Sequence, residues 1–197
     1  MGGVTVKVGL LGGTFDPPHL GHLIMAEEAL VRLALDEIWF LPSYLPPHAE
    51  RKASATPESS EHRLEMVRLA IKGNRHFKLS LVEIERKGKS YTYETIAVLR
   101  EQFPAYQFYF IIGADMVNDL PKWAHFDELK QSVTFIGFNR SGVHWQAPED
   151  VQLVKAEMPE IGISSSLIRK RIKEKGAWHY LVPEPVKKYI EVNGLYG

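Results

Sequence analysis

The sequence predicts a single α/β domain over residues 1–197, doubly wound on a mostly parallel sheet, with a helical C-terminal part. Three observations predict it. Short β-branched or aromatic runs alternate with amphipathic stretches along the chain, the order that gives a parallel sheet covered on both faces. The length, 197 residues, suits one such domain. No repeat, low-complexity tract or linker divides the chain.

Residues 4–11 form a short apolar, β-branched run ending in glycines, which reads as a buried strand. Residues 19–34 read as a helix: Leu20, Leu23, Leu30 and Ala34 fall near one face, with Glu27, Glu28 and Arg32 off it. Residues 38–41 are a second strand, stopped by Pro42. The loop 42–57 is rich in proline and polar residues, and a loop of that length in a compact domain is often functional. A helix over 58–72, closed by Gly73, precedes a strand over 77–84. Thr92 is the expected N-cap of a helix reaching about residue 102. A strand over 107–112 ends at Gly113-Ala114-Asp115. A short helix over 126–132, a strand over 133–138 and a strand-like stretch over 151–158 follow. Ser164 or Ser165 caps a helix to about residue 175. The last helix spans 183–193, with Gly194 as its stop.

In such a sheet, crossovers are nearly always right-handed, and ligands bind beyond the carboxyl ends of the strands, where strand order reverses. The candidate site segments are therefore 12–22, 42–57, 86–93, 113–123, 139–146 and 160–169.

Composition narrows the function. Hydrophobic residues make up 45% and charged residues 24%, as in an ordinary globule. The formal net charge is zero and no basic stripe stands out, which argues against a nucleic-acid partner. With no cysteine, disulfides, thiolate nucleophiles and thiolate zinc sites are excluded. The N-terminus lacks a signal-peptide pattern, and no apolar stretch approaches the roughly 20 residues that span a bilayer. The expectation is a cytoplasmic protein without membrane contact.

The loop Gly12-Gly13-Thr14-Phe15-Asp16-Pro17-Pro18-His19-Leu20-Gly21-His22 carries the first chemical signal. Gly12 and Gly13 are expected to turn freely and to leave room for a phosphate. A helix start supplies unpaired N–H groups and partial positive charge, hence an anion site. His19 and His22 are three residues apart and share a helix face, and Gly21 between them is expected to let a ligand approach. Phosphoryl and nucleotidyl transfer depend on positioning and charge stabilisation. An imidazole N–H can donate to a phosphoryl oxygen, more strongly when protonated. The string is not the dinucleotide fingerprint, which needs a third glycine. A plain turn with surface histidines remains an alternative, as does a zinc pair, though no third ligand is evident.

A second cradle is expected where Ser164, Ser165 and Ser166 open a helix, since hydroxyls and free N–H groups there can both reach an anion. Arg169, one turn on, has a planar fork suited to phosphate oxygens. A serine-capped helix with a solvated basic face is the plainer alternative.

His19-Leu20-Gly21-His22 matches the [His/Thr]-x-Gly-His signature of a nucleotidyltransferase superfamily, and Ile163-Ser164-Ser165-Ser166-Leu167-Ile168-Arg169 matches its second signature. The chain thus resembles that superfamily, which implies a Rossmann-like fold. Over nearly its whole length it is similar to the bacterial nicotinate-nucleotide adenylyltransferases, through Pro46-Pro47-His48, Ser90-Tyr91-Thr92-Tyr93-Glu94-Thr95, Gly113-Ala114-Asp115-Met116 and Leu120-Pro121-Lys122-Trp123.

The resemblance implies attack of nicotinate mononucleotide on the α-phosphorus of ATP, with Mg²⁺ carried by the ATP phosphates and no protein metal cage. It makes His19, His22 and Arg169 the catalytic set. Gly12, Gly13, Thr14, Phe15, Gly113, Asp115, Ser164, Ser165 and Ser166 become the ATP-binding residues, the serine segment holding the phosphates that leave. His48, Tyr91, Thr92 and Trp123 become the nicotinate mononucleotide contacts. Chemistry agrees: Trp123 offers a flat face to a pyridine ring, Thr92 a hydroxyl and an N–H to a carboxylate, and Asp115 an acceptor to a ribose hydroxyl. Packing and capping are the plainer roles of Trp123 and Thr92. Relatives often carry lysine after Pro-Pro-His, where this chain has Ala49, so either an acceptor-phosphate contact is missing or Arg51 or Lys52 supplies it. A homodimer would suit the family. The rivals are a transferase for another acceptor such as a pantetheine phosphate, a nucleotide sensor without turnover, and a fragment of a class I tRNA synthetase.

Overall fold

A computed structural model describes residues 5–45, 59–139 and 145–197. Six strands form one sheet in the order β3-β2-β1-β4-β5-β6, and every neighbouring pair is parallel. The strands are β1 (Val6–Gly13), β2 (Glu37–Pro42), β3 (Phe77–Leu79), β4 (Tyr106–Gly113), β5 (Thr134–Phe138) and β6 (Leu153–Ala156). The helices are α1 (Leu20–Arg32), α2 (Ser60–Ile71), α3 (Val82–Arg86), α4 (Thr92–Gln102), α5 (Ala114–Val117), α6 (Phe126–Ser132), α7 (Ser165–Lys173) and α8 (Glu184–Asn193). Among the described residues no helix is long and apolar enough to cross a membrane.

Strand side chains alternate between faces, so a sheet covered on both sides needs apolar residues at consecutive positions. The central strands meet that need. Val8 and Leu10 of β1, Trp39 and Leu41 of β2, and Phe108, Phe110 and Ile112 of β4 pack on one face with Ile96 and Leu99 of α4 and Leu129 of α6. Leu11, Ile38, Phe40 and Ile111 pack on the other with Ala26, Ala29 and Leu30 of α1. Gly9 serves this packing: a Cβ there would lie 2.6 Å from Ile38 Cδ1. A third cluster, Met66, Ile168, Trp178, Val186 and Ile190, joins α2, α7 and α8.

Parallel pairing puts every carboxyl end on one edge. The order reverses between β1 and β4, so the loops after these two strands flank the switch-point crevice.

Four expectations need correction. The strand expected over 77–84 ends at Leu79, because its pairing with β2 ends at Phe40↔Leu79 and the Ser80 N–H closes the ladder on Phe40 O at 2.9 Å. The chain then turns into α3, which buries Glu83. Thr92 is the first helical residue of α4, and Tyr91 is the cap, without a side-chain capping bond. The stretch 151–158 yields only the four-residue edge strand β6. Gly12 and Gly13 do not form a turn: they finish β1, paired with Leu41 and Pro42. Other expectations hold: Ser164 caps α7, accepting from Leu167 N at 3.2 Å, and Gly194 closes α8 at φ 61°.

Candidate active site

The first loop is shaped by Phe15. Its φ is 51°, in the left-handed region, and its ring is buried. Side chains other than glycine enter that region only under tertiary constraint. Here the ring packs on Phe40 at 5.7 Å and edge-on to His22 at 4.9 Å. A Cβ at Gly13 would sit 3.1 Å from the Phe15 ring. Gly13 thus admits the loop's own aromatic side chain, and a Cβ at Gly12 would lie 3.3 Å from the Phe110 ring of β4.

His19 is the N-cap of α1 and His22 its third residue. Their rings stack at 3.7 Å with planes 24° apart. The His19 N–H donates to His22 Nδ1 at 3.2 Å. In neutral His22 the proton therefore belongs on Nε2, leaving that atom as a donor. Burial pushes the His19 pKa down to about 4, and burial, then His19 itself, pushes His22 well below the usual value. Both rings are therefore neutral near pH 7, unlike the protonated donors that the sequence left open. His19 Nδ1 is buried without a hydrogen-bond partner among the described residues. Gly21 makes this stack fit: a Cβ there would lie 3.0 Å from His19 Nδ1 and 3.7 Å from Ile161 Cγ2. Its absent side chain makes room for the histidine.

The serine segment docks on this loop. Ser165 Oγ donates to Pro17 O at 2.8 Å, and Arg169 Nη1 donates to Asp16 O at 2.7 Å. Arg169 also reaches Ser166 Oγ at 3.4 Å and lies 3.8 Å from Asp16 Oδ2. The two predicted cradles, 148 residues apart, thus share one wall.

Three groups missed in the sequence hold that wall. Asp16 is buried and accepts from the Tyr196 hydroxyl at 2.7 Å. Arg63 of α2 is buried and donates to Thr14 O at 2.8 Å and Ser43 O at 2.9 Å. Burial lowers the Arg63 pKa, and Asp16 and Tyr196 oppose that shift. Arg63 carried a signal, since it lies on the helix face of Met66 and Val67. Asp16 lay inside the quoted string without a role. Tyr196 gave no signal.

At the other flank of the crevice, Asp115 is exposed in the first turn of α5. Its Oδ1 lies 2.7 Å from where a Gly113 Cβ would stand, so Gly113 leaves room for this rotamer. Tyr91 and Thr92 open α4, half-buried, with no side-chain capping bond among the described residues, so its first N–H groups have no intrahelical partner. Glu94 in that turn is paired with Arg86, which offsets its charge. Trp123 is half-buried and stands edge-on to Phe110 at 5.9 Å and Phe135 at 6.3 Å. The packing role is therefore real for Trp123. Tyr93 stacks on His125 at 4.2 Å. His48, Ala49, Arg51 and Lys52 lie outside the described residues.

Neutral imidazole donors, hydroxyls, helix starts and a guanidinium converge beyond the carboxyl ends of a parallel sheet, at its switch point. That is the arrangement of an α/β nucleotidyltransferase. Residues 10–171 match the cytidylyltransferase-like family. The nicotinate-nucleotide adenylyltransferase of Bacillus subtilis (strain 168) is 51% identical over 190 residues, 96% of this chain and 98% of that one. Two structures of a Plasmodium falciparum nicotinic acid mononucleotide adenylyltransferase share the fold, one complexed with APC (TM-score 0.79, 20% identity) and one with NaAD (TM-score 0.78, 21% identity). Each alignment covers 97% of both chains. The chain belongs to the cytidylyltransferase-like family, among the nicotinate-nucleotide adenylyltransferases.

Proposed function

We propose that the protein transfers the adenylyl group of ATP to nicotinate mononucleotide, giving deamido-NAD and pyrophosphate, as a cytoplasmic step in NAD biosynthesis. One observation carries the phosphate side of this reading. The neutral His19–His22 pair sits at a helix start, against the loop onto which Ser165 and Arg169 are docked. The acceptor follows from the 51% identity to the Bacillus subtilis relative and from the chemistry of residues 90–95 and 123.

A phosphate oxygen of the acceptor attacks the α-phosphorus. The bond from that phosphorus to the oxygen bridging to the β-phosphate breaks, and pyrophosphate leaves with the electron pair. The attacking phosphate is already anionic, so no general base is needed, and no nucleophilic side chain is invoked. His22 Nε2–H donates to an α-phosphate oxygen as charge builds there, and His19 lends the second donor. The triphosphate's own charge favours imidazolium and draws both pKa values back up on binding. Gly12, Gly13, Thr14 and Phe15 line the nucleotide side, with Gly113 and Asp115 at the ribose. The α7 start, through Ser164, Ser165, Ser166 and Arg169, holds the departing phosphates.

Mg²⁺ fits as an ion carried by the phosphates. The residues of the phosphate cradle are N–H, hydroxyl and guanidinium donors, which suit anions. Among the described residues no group of three or more His, Asp or Glu side chains converges on a cation position. When bound, the ion neutralises triphosphate charge.

The acceptor is tested by pyrophosphate release from ATP with nicotinate mononucleotide, nicotinamide mononucleotide or a pantetheine phosphate. The expected result is a clear preference for the first. Equal rates with any two would sink the assignment.

A further inference from the structure

One buried ionisable group takes no part in this mechanism. Glu83 of α3 is 6% exposed. Its carboxyl accepts from Thr95 Oγ1 at 2.9 Å and from the Ser90 hydroxyl. Each hydroxyl leads to an acceptor segment. Thr95 Oγ1 also lies 3.2 Å from Tyr91 O, the carbonyl of the α4 cap. Ser90 Oγ accepts from Tyr44 N at 3.0 Å, Ser90 N donates to Leu45 O at 2.9 Å, and Leu45 bridges to Lys89. One carboxyl therefore fastens the start of α4 and the backbone just beyond β2.

Burying a carboxyl is costly, and its pKa is pushed up by that burial. A fold that needed only filling here would use an apolar side chain. A buried acceptor shared by two hydroxyls instead fixes their backbones against each other.

We propose that Glu83 is a positioning residue for acceptor recognition, holding Tyr91 and Thr92, with the adjoining residues 44–45, in the geometry that receives the acceptor nucleotide. This rests on the reading that residues 90–95 face the acceptor. The phosphate cradle has its own ties, through Asp16, Arg63 and Arg169; the Glu83 network meets them only at one remove, at Tyr44, whose N–H donates to Ser90 and whose carbonyl lies 3.5 Å from Arg63 Nη2. The consequence is a split: loss of Glu83 harms the acceptor and spares ATP.

The test is steady-state kinetics, each substrate varied at saturation of the other, with the acceptor that the wild-type protein prefers. A wrong acceptor assignment then shows in the wild type, and a wrong role for Glu83 shows in the variants. In Glu83→Ala the acceptor KM should rise about tenfold, as for a lost bond to a charged group, with the ATP KM within about twofold of wild type. Glu83→Gln keeps an oxygen for Thr95 and should recover most of that loss. Thr95→Val should shift the acceptor KM in the same direction by less, and it carries the reading if the alanine variant loses its cooperative melt. A parallel rise in both KM values, a fall in kcat alone, or a glutamine variant no better than alanine overturns the role.

Discussion

The two flanks of the crevice are built differently. On the phosphate flank, side chains are fixed by hydrogen bonds to backbone carbonyls: Arg63 to Thr14 and Ser43, Arg169 to Asp16, and Ser165 to Pro17. On the acceptor flank rings meet rings, half-buried Trp123 on the buried Phe110 and Phe135 and Tyr93 on His125. Its hydrogen bonds run among side chains, Arg86 and Tyr93 to Glu94 near the surface and Thr95 to Glu83 underneath. A triphosphate is the same anion in every reaction of this kind, so rigid donors anchored on backbone suit it. An acceptor differs from its rivals by one ring substituent, and discrimination at that scale needs a shaped, partly apolar surface with a polar group at one end.

The largest effect should come from the phosphate flank. Replacing His22 with alanine removes a donor that matters most as charge builds, so kcat should fall about 10²–10³-fold. The Phe15 edge contact is lost too, and some fall in melting temperature is expected, but a cooperative melt should remain. Pyrophosphate release measured beside thermal unfolding separates the two effects. Retained turnover would reject His22 as the donor and leave the phosphate flank a mere binding surface.

The rigidity of this flank has a signature in pH. The His19 pKa is about 4 in the folded chain against 6.5 as its ordinary value. As pH falls from about 6.5 towards 4, the unfolded chain takes up that proton and the folded chain does not, so stability declines through this window. The gap amounts to about 3 kcal/mol for this group, fully present above the upper limit and lost towards the lower. His22 adds to the decline, and Glu83, with its raised pKa, opposes it. The Glu83 contribution is common to wild type and His19→Asn, so the difference between their urea midpoints reports His19 together with its push on His22. The gap between the two proteins should narrow as the pH is lowered from 7.5 to 4.5. Parallel curves would mean that His19 is solvated enough to titrate normally.

The same contrast governs what could be read from the sequence. The two cradles were legible because a helix start and its capping residues are local properties of a few neighbouring positions. Ser164 capped α7, and His19 and His22 came together one turn apart, as the spacing requires. The ties between the cradles were not legible, since Asp16, Arg63 and Tyr196 meet only through the packing of α2 and the C-terminal turn. A further reason for the glycines lay outside the reach of the sequence. Gly13 and Gly21 accommodate Phe15 and His19, neighbours whose ring orientations no sequence shows. On the acceptor flank, the alternation of apolar and polar residues from Phe77 to Leu81, continued by Val82 and Ile84, hid both the end of β3 and the burial of Glu83. A short apolar stretch does not by itself distinguish strand from helix.

The smallest effect, and the sharpest for the comparison, belongs to Thr92. It opens α4 with its hydroxyl and N–H at the helix start, while Tyr91 provides the cap geometry. Thr92→Val keeps the shape, the β-branch and the backbone N–H, and removes one oxygen. A nicotinate carboxylate would lose one hydrogen bond of the several available at that start, a loss of roughly 3- to 15-fold in KM. The amide analogue, which brings no negative charge to the helix start, should lose less, so the preference for acid over amide should shrink. In the proposed reading ATP binds the other flank, and its KM should stay within about twofold, because loss of a single half-buried hydroxyl seldom disturbs packing at a distance. Equal losses for ATP and acceptor would mean that the two flanks are coupled through the sheet, and their separate construction would then have no functional meaning.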